Sequence, residues 1–261
     1  MNPETIAFLL ELNRRFYHDF GRAFAATRRR VQPGVTSAIQ RLPRAGNWLD
    51  LGCGSGELAR GLAQSGYRGR YLGLDGSAEL LAEAPAGLAS QPDFSAEFRQ
   101  ANLADPDWAA GLPSSAWEVI TCFAMLHHLP GVELRARLLR QTRQLLAGDG
   151  WLAHSVWQFQ HSPKLLERRQ PWERLGLSTV DVEEGDTLLD WRYALPGQPE
   201  QVGLRYVHLF TPSELSDLAA ACGFEIVAEY ESDGAGGRLG LYQLWRGLQP
   251  ASGGKSRRML I

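Results

Sequence analysis

Lysine is almost missing from this chain. Of 27 basic side chains in 261 residues, only Lys164 and Lys255 are lysines. Nearly every cation is therefore a guanidinium, suited to bidentate contact with carboxylate or phosphate, although a GC-rich genome gives the same bias. Cysteine is scarce too: Cys53, Cys122 and Cys222 are scattered, odd in number and set among apolar residues or glycines. That excludes a disulfide framework or cysteine metal site and predicts buried thiols in a reducing, cytoplasmic setting. No apolar run approaches the roughly 18 residues needed to span a bilayer, so no membrane contact is expected. The opening Met1-Asn2-Pro3-Glu4-Thr5 lacks the basic stretch and apolar core of a secretion signal.

What is present is a globular composition, 44% hydrophobic and 21% charged, enough for one α/β domain with an insertion. The net charge of -2 conceals an asymmetry. Residues 1–46 carry eight arginines against three acids, a net of +5, while residues 71–118 carry one arginine against eight acids, a net of -7. Basic ends around an acidic middle fit an anionic substrate met near the N-terminus, or simply a solvated helix face.

The most informative stretch is Asn47-Trp48-Leu49-Asp50-Leu51-Gly52-Cys53-Gly54-Ser55-Gly56-Glu57-Leu58. An apolar run ends in an acid, glycines follow, and a helix-forming run begins. This is a strand, a tight turn and a helix, the opening of a nucleotide-binding α/β unit. The glycine spacing departs from the dinucleotide fingerprint: the third glycine position is Glu57, and a carboxylate at a helix start repels a pyrophosphate. The pattern resembles motif I of the class I S-adenosylmethionine (SAM)-dependent methyltransferases. SAM has no phosphate but carries a sulfonium, an amine and a carboxylate.

Along the chain, Ile6, Leu9, Leu10, Leu12, Phe16, Phe20 and Phe24 repeat at helical spacing. They predict an amphipathic helix over 4–26, broken near Gly21, and a second helix follows over about 35–42. Strands are expected at 47–51, 70–74, 96–101, 117–122 and 151–157, with helices at 56–65, 106–110 and 132–147. Residues 159–203 interrupt the alternation and read as a functional insertion. Thr211-Pro212-Ser213-Glu214 is a capping box opening a helix. Two terminal strands, about 224–230 and 239–245, precede a polar tail. The domain reading is a helical cap over 1–46, a methyltransferase domain over 47–247 and a flexible tail over 248–261. The resemblance implies a Rossmann-like, seven-stranded sheet with helices on both faces.

It also implies a cofactor site. Asp75, ending the second strand, would accept both ribose hydroxyls, with Ser77 left to cap the next helix. Asp50, Gly52, Gly54, Gly56, Gly76, Asn102, Leu103 and Phe123 complete the set, with Asn102 where the family often has an acid facing adenine.

Three flanking segments narrow the resemblance. Phe24-Ala25-Ala26-Thr27-Arg28, Gly185-Asp186-Thr187-Leu188-Leu189-Asp190-Trp191 and Leu204-Arg205-Tyr206-Val207-His208-Leu209-Phe210 are similar to segments of the eukaryotic tRNA wobble-uridine carboxymethyl methyltransferases. Those enzymes methylate a carboxylate in the anticodon loop and work with a small zinc-binding activator subunit. Two departures stand out: Asp190 replaces a proline, and Gln32 replaces a tryptophan. The resemblance implies tRNA as partner and substrate, with no metal in this chain. Arg28, Arg192 and Arg205 are candidates to grip the substrate carboxylate. For a hydroxyl or amine acceptor, His127 or His128, after the fourth strand, would take a proton, or the pair would only orient the loop. Tyr206 and His208 would either stack on a base or pack in the core. Two other readings stand beside this one. They are a small-molecule O- or N-methyltransferase on the same core, favoured if positive charge does not gather at the cofactor mouth, and a catalytically silent SAM-binding subunit, which needs a filled acceptor cavity.

Overall fold

The computed structural model describes residues 1–27, 30–86, 88, 92–194 and 199–248. Arg28 and the expected tail, Leu248 excepted, lie outside the described residues.

Helix α1, Pro3–Ala26, is capped by the Asn2 side chain and carries a proline in its first turn. It runs unbroken through Gly21. There, a Cβ would meet Glu79 Cβ at 3.2 Å, so the glycine serves a close approach between helices and not a break. Helix α2 is Pro33–Ile39. The alternating core follows: β1 Ala45–Leu51, α3 Glu57–Gln64, β2 Arg68–Asp75, α4 Ala78–Glu83, β3 Phe94–Gln100 and β4 Trp117–Phe123. Next come α5 Val132–Leu145, β5 Leu146–Trp157, α6 Pro163–Leu166, β6 Arg169–Gln170, β7 Asp186–Tyr193, β8 Gln201–His208, α7 Pro212–Ala221, β9 Phe224–Ser232 and β10 Gly240–Gly247.

The main sheet has seven strands in the order β3-β2-β1-β4-β5-β10-β9. β10 is antiparallel to both neighbours, and the pairs from β3 through β5 are parallel. The strand order reverses between β1 and β4, and ligands bind at the carboxyl ends of such a switch point. Leu49, Leu51 and Ile120 pack into one side of the core, Trp48, Val119 and Leu244 into the other.

Beside the break at Gly21, two expectations are corrected. No helix forms over 106–110. The Asp105 carboxylate accepts from the Asp107 amide instead, at 2.8 Å, a local turn that competes with helix. β5 starts five residues early, at Leu146, because the register shifts between Trp117 and Val119 and takes up the extra chain. Within and just after 159–203, β6, β7 and β8 form a separate three-stranded antiparallel sheet. α1 packs on β8, with Leu9 in one cluster with Tyr206 of β8 and Leu188 of β7. The capping box forms as read, with Thr211 Oγ1 accepting from Glu214 N at 3.2 Å.

Candidate active site

A cavity of about 1040 Å³ opens at the switch point. One end is built by the β1–α3 turn. Gly52 and Gly54 have φ of +79° and +54°, conformations that side chains resist. A Cβ on Gly54, which lines the cavity, would meet no protein atom within 4 Å, so the glycine keeps that space for a ligand. Asp75 also lines the cavity. Its two oxygens accept from Gly54 N at 2.8 Å and Ser77 N at 2.9 Å, and burial raises its pKa. Ser77 Oγ caps α4 at Leu80 N, leaving the Asp75 carboxylate to the cavity.

Asp50 is buried beneath the turn, accepting from Tyr71 OH and Thr121 Oγ1, each at 2.6 Å. Desolvation pushes its pKa up to about 6 in spite of those two bonds, and the Asp75 charge adds to the rise. Gly76, Asn102, Leu103 and Phe123 line the same space; Gly56 does not, serving instead as the left-handed cap of α3. Asn102 Oδ1 is occupied by Ala104 N at 3.1 Å. Ala124, with φ of +52°, turns the chain into the cavity after β4.

The other end is walled by α1, the turn Leu126–His128 and the β9–β10 loop. His128 is fixed on both sides. Nδ1 lies 3.2 Å from the Tyr206 carbonyl, which can only accept, so Nδ1 carries the proton. Nε2 is then the basic nitrogen, and it faces Tyr17 OH at 3.0 Å. Both His128 and Tyr17 line the cavity. Asn13 locks α1 down: its Nδ2 donates to the carbonyls of His128 and Tyr206, each at 3.1 Å, and its Oδ1 accepts from Tyr206 N at 2.8 Å. Opposite, Asp233 accepts from Gly34 N at 3.0 Å and Tyr242 OH at 2.5 Å, closing that wall.

His208, Tyr206, Arg192 and Arg205, all named from sequence, lie outside the cavity lining. His208 is buried away from the cavity, with Nδ1 at 2.7 Å from Asp186 and Nε2 at 2.8 Å from Glu214. Burial disfavours its charge, but the two carboxylates outweigh burial and raise its pKa. Tyr206 is equally buried and donates to Asp186 at 2.6 Å, so neither ring is open to a base. Glu183, Asp186 and His208 are close enough to share an ion, but Arg135 already pairs with Glu183 at 2.7 Å and with Glu214 at 3.5 Å. Arg192 is outside the cavity, tied to Asp190 at 3.1 Å and Glu200 at 3.6 Å. Asp190, the departure from the family proline, is the buried acid that holds Arg192 and Arg168. Arg205 is 2% exposed and sits behind the aromatic wall, over Trp157 at 4.6 Å and Phe16 at 5.3 Å.

Sequence reasoning missed Asn13 and Tyr17. The available signal was a polar residue, Asn13, on the stripe set by Leu9 and Phe16, where only an apolar side chain or a paired one is stable.

A seven-stranded sheet of this order, with a glycine cradle and an acid at the end of β2, defines the class I methyltransferase fold. Residues 23–229 match the family model described as "Methyltransferase domain", and the chain belongs to that family. S-adenosylmethionine is the cofactor that comes with it. Among curated proteins, a probable methyltransferase, ltbC, of Aspergillus luteorubrus is 26% identical over 150 residues, covering 55% of this chain and 52% of that protein. The ubiquinone biosynthesis O-methyltransferase of Leptothrix cholodnii is 31% identical over 104 residues, covering 40% of this chain and 41% of that protein. The chain thus spans about half the length, or less, of these curated relatives. In fold it is similar to a SAM-dependent methyltransferase of Methanosarcina mazei, with a TM-score of 0.60, 22% identity, and coverage of 85% of this chain and 100% of that one. It is also similar to the Haloferax volcanii complex of a methyltransferase with the Trm112 activator, with a TM-score of 0.59, 14% identity, and coverage of 91% and 98%.

Proposed function

We infer that this chain transfers a methyl group to a hydroxyl of a small-molecule acceptor. The observation that carries this is His128. An imidazole whose Nδ1 donates to the Tyr206 carbonyl presents Nε2 to the Tyr17 phenol 3.0 Å away, and both side chains line the cavity in which an acceptor that must lose a proton would lie. When bound, SAM supplies a methyl already activated by its sulfonium. The residues that would hold it are the Gly52–Gly54 turn, Asp75 on the ribose, Asn102 and Leu103 at the base, and Phe123 beside them. The remaining work of the chain is alignment and exclusion of water, which α1 and the β9–β10 loop supply. Asn13 fixes the first and Asp233 the second.

The cavity wall favours a small acceptor over RNA. Among its described residues, Arg14 and Arg30 stand against Glu11, Glu57 and three aspartates, and Arg14 is spent on Glu11 at 2.6 and 2.7 Å. The alternative acceptor is the carboxylate of a carboxymethyl-type uridine in tRNA, with which a small activator subunit would come. It rests on the three matched segments, but two of its described carboxylate grips, Arg192 and Arg205, do not line the cavity. The three cysteines, all buried thiols, support a reducing, cytoplasmic setting.

Methyl-labelled SAM, offered with a panel of phenols, catechols and hydroxy acids beside carboxymethyl-modified tRNA, tests the choice. Label in a methyl ether is the expected result. Label confined to RNA, as a base-labile methyl ester, would replace this reading with the tRNA one.

A further inference from the structure

The first turn of α3 carries an arginine, Arg60, whose side chain is only 17% exposed. Its Nη1 donates to the carbonyls of Ala84 at 3.0 Å and Ala86 at 2.9 Å. Its Nη2 donates to the Ser55 carbonyl and to the Glu57 carboxylate, each at 2.5 Å. Ser55 and Glu57 belong to the glycine turn and the start of α3. Ala84 and Ala86 lie at the far end of α4, the helix that follows Asp75. The end of a helix leaves carbonyls without intrahelical donors, and a guanidinium nearby satisfies them. One side chain thus ties together the two segments that build the cofactor end of the cavity.

The third glycine has its explanation here. Gly56 is outside the cavity lining and has φ of +78°. A Cβ on it would meet Ala84 O at 2.8 Å and Ala84 Cα at 3.1 Å, so the end of α4 passes directly behind the turn. The peptide between Ser55 and Gly56 is held at both ends, its carbonyl by Arg60 and its N–H by the Cys53 carbonyl at 3.0 Å. On the cavity side, Gly54 N donates to Asp75 at 2.8 Å. The glycine turn and the segment from Asp75 through α4 are therefore joined twice, by Gly54 and Asp75 in front and by Arg60 behind. A single ammonium lacks the spread of that fork.

We propose that Arg60 is a positioning residue for SAM, setting from behind the separation between the glycine turn and Asp75. It does not line the cavity, so it acts through the turn. The two halves of the cradle are then in place before the cofactor arrives, and binding does not have to order them. Arg60 also pairs with Glu57, a carboxylate that does line the cavity. The inference rests on the cofactor and not on the choice of acceptor.

The test is calorimetric titration of the full chain with SAM and with S-adenosylhomocysteine, beside hydrogen exchange of the ligand-free chain. Arg60→Met removes every donor and keeps an apolar stem. It should weaken both ligands about tenfold, since a small misplacement of binding groups is felt on at least that scale. It should also speed exchange at the Gly54 and Gly56 amides before any ligand is added. Arg60→Lys, which keeps a charge and a donor, should recover part of the affinity. Gly56→Ala opens the same contact, so combined with Arg60→Met it should cost no more than the worse of the two alone. Leu218→Ala, in the core on α7 and off the cavity lining, is the control. It should lower the melting temperature and leave SAM affinity unchanged. With an acceptor in hand, Arg60→Met should raise KM for SAM and leave kcat at saturating SAM near wild type, a split that general loosening of the fold does not produce. A folded Arg60→Met with wild-type SAM affinity and wild-type exchange at the turn would overturn the proposal. So would Leu218→Ala weakening SAM as much as Arg60→Met at the same loss of melting temperature.

Discussion

At the scale of single residues, two buried titratable groups pull the stability of this protein in opposite directions. Asp50 has its pKa raised to about 6 by burial, so the unfolded chain ionises first as pH rises. Its contribution to stability therefore falls between roughly pH 4 and pH 6 and stays low above that. His154, buried in β5 against Gln243 at 3.2 Å, has its pKa pushed down to about 4 by burial. The unfolded chain takes up that proton first as pH falls, and stability on the order of 3 kcal/mol is lost from roughly pH 6.5 down to 4. In the shared window the two offset each other. Asp50→Asn should raise the melting temperature at neutral pH, weaken SAM binding, and expose a steeper acid loss. His154→Gln should instead make the protein more stable as pH falls from 6 to 4. Urea unfolding at a series of pH values reads both, and parallel curves for the two variants would contradict the assignment.

At the scale of elements, α1 is the part whose role changed most between sequence and structure. Its periodicity marks an amphipathic helix but not what the helix covers. Docked on β8 and α4, it walls one end of the cavity, and Asn13 is the pin. Asn13→Ala would leave a backbone amide and two carbonyls without that partner in a buried seam. It should lower stability by about 2–4 kcal/mol and speed hydrogen exchange along 3–26 more than in β1 or β4. Uniform exchange across all three would mean that α1 is not a separately docked element. The hairpin β7–β8 shows the same limit of sequence. Alternation placed Tyr206 and His208 on one face but could not say that this face meets Asp186, Glu214 and Arg135. Those partners come from β7, α7 and α5, far apart in the chain.

At the scale of the whole molecule, no helix among the described residues is long and apolar enough to cross a membrane, and the sheet gathers one large cavity at its switch point. Because that cavity is formed only in the folded chain, SAM at about a hundred times its dissociation constant should stabilise the fold by about 2.7 kcal/mol. Thermal melts with SAM and with S-adenosylhomocysteine check this, and no shift with either would remove the cofactor site. The sequence by itself determined the methyltransferase core: the glycine turn, the acid ending β2 and the strand–helix alternation are local signals, each written in a few adjacent residues. It also placed Asp75, Gly54 and His128, because they sit at strand ends and turns whose geometry is local too. Only the tertiary structure decided the end of the cavity walled by α1. Tyr17 and His128 are separated by more than a hundred residues. A phenol on α1 and an imidazole after β4 come within 3.0 Å of each other only because α1 packs on β8.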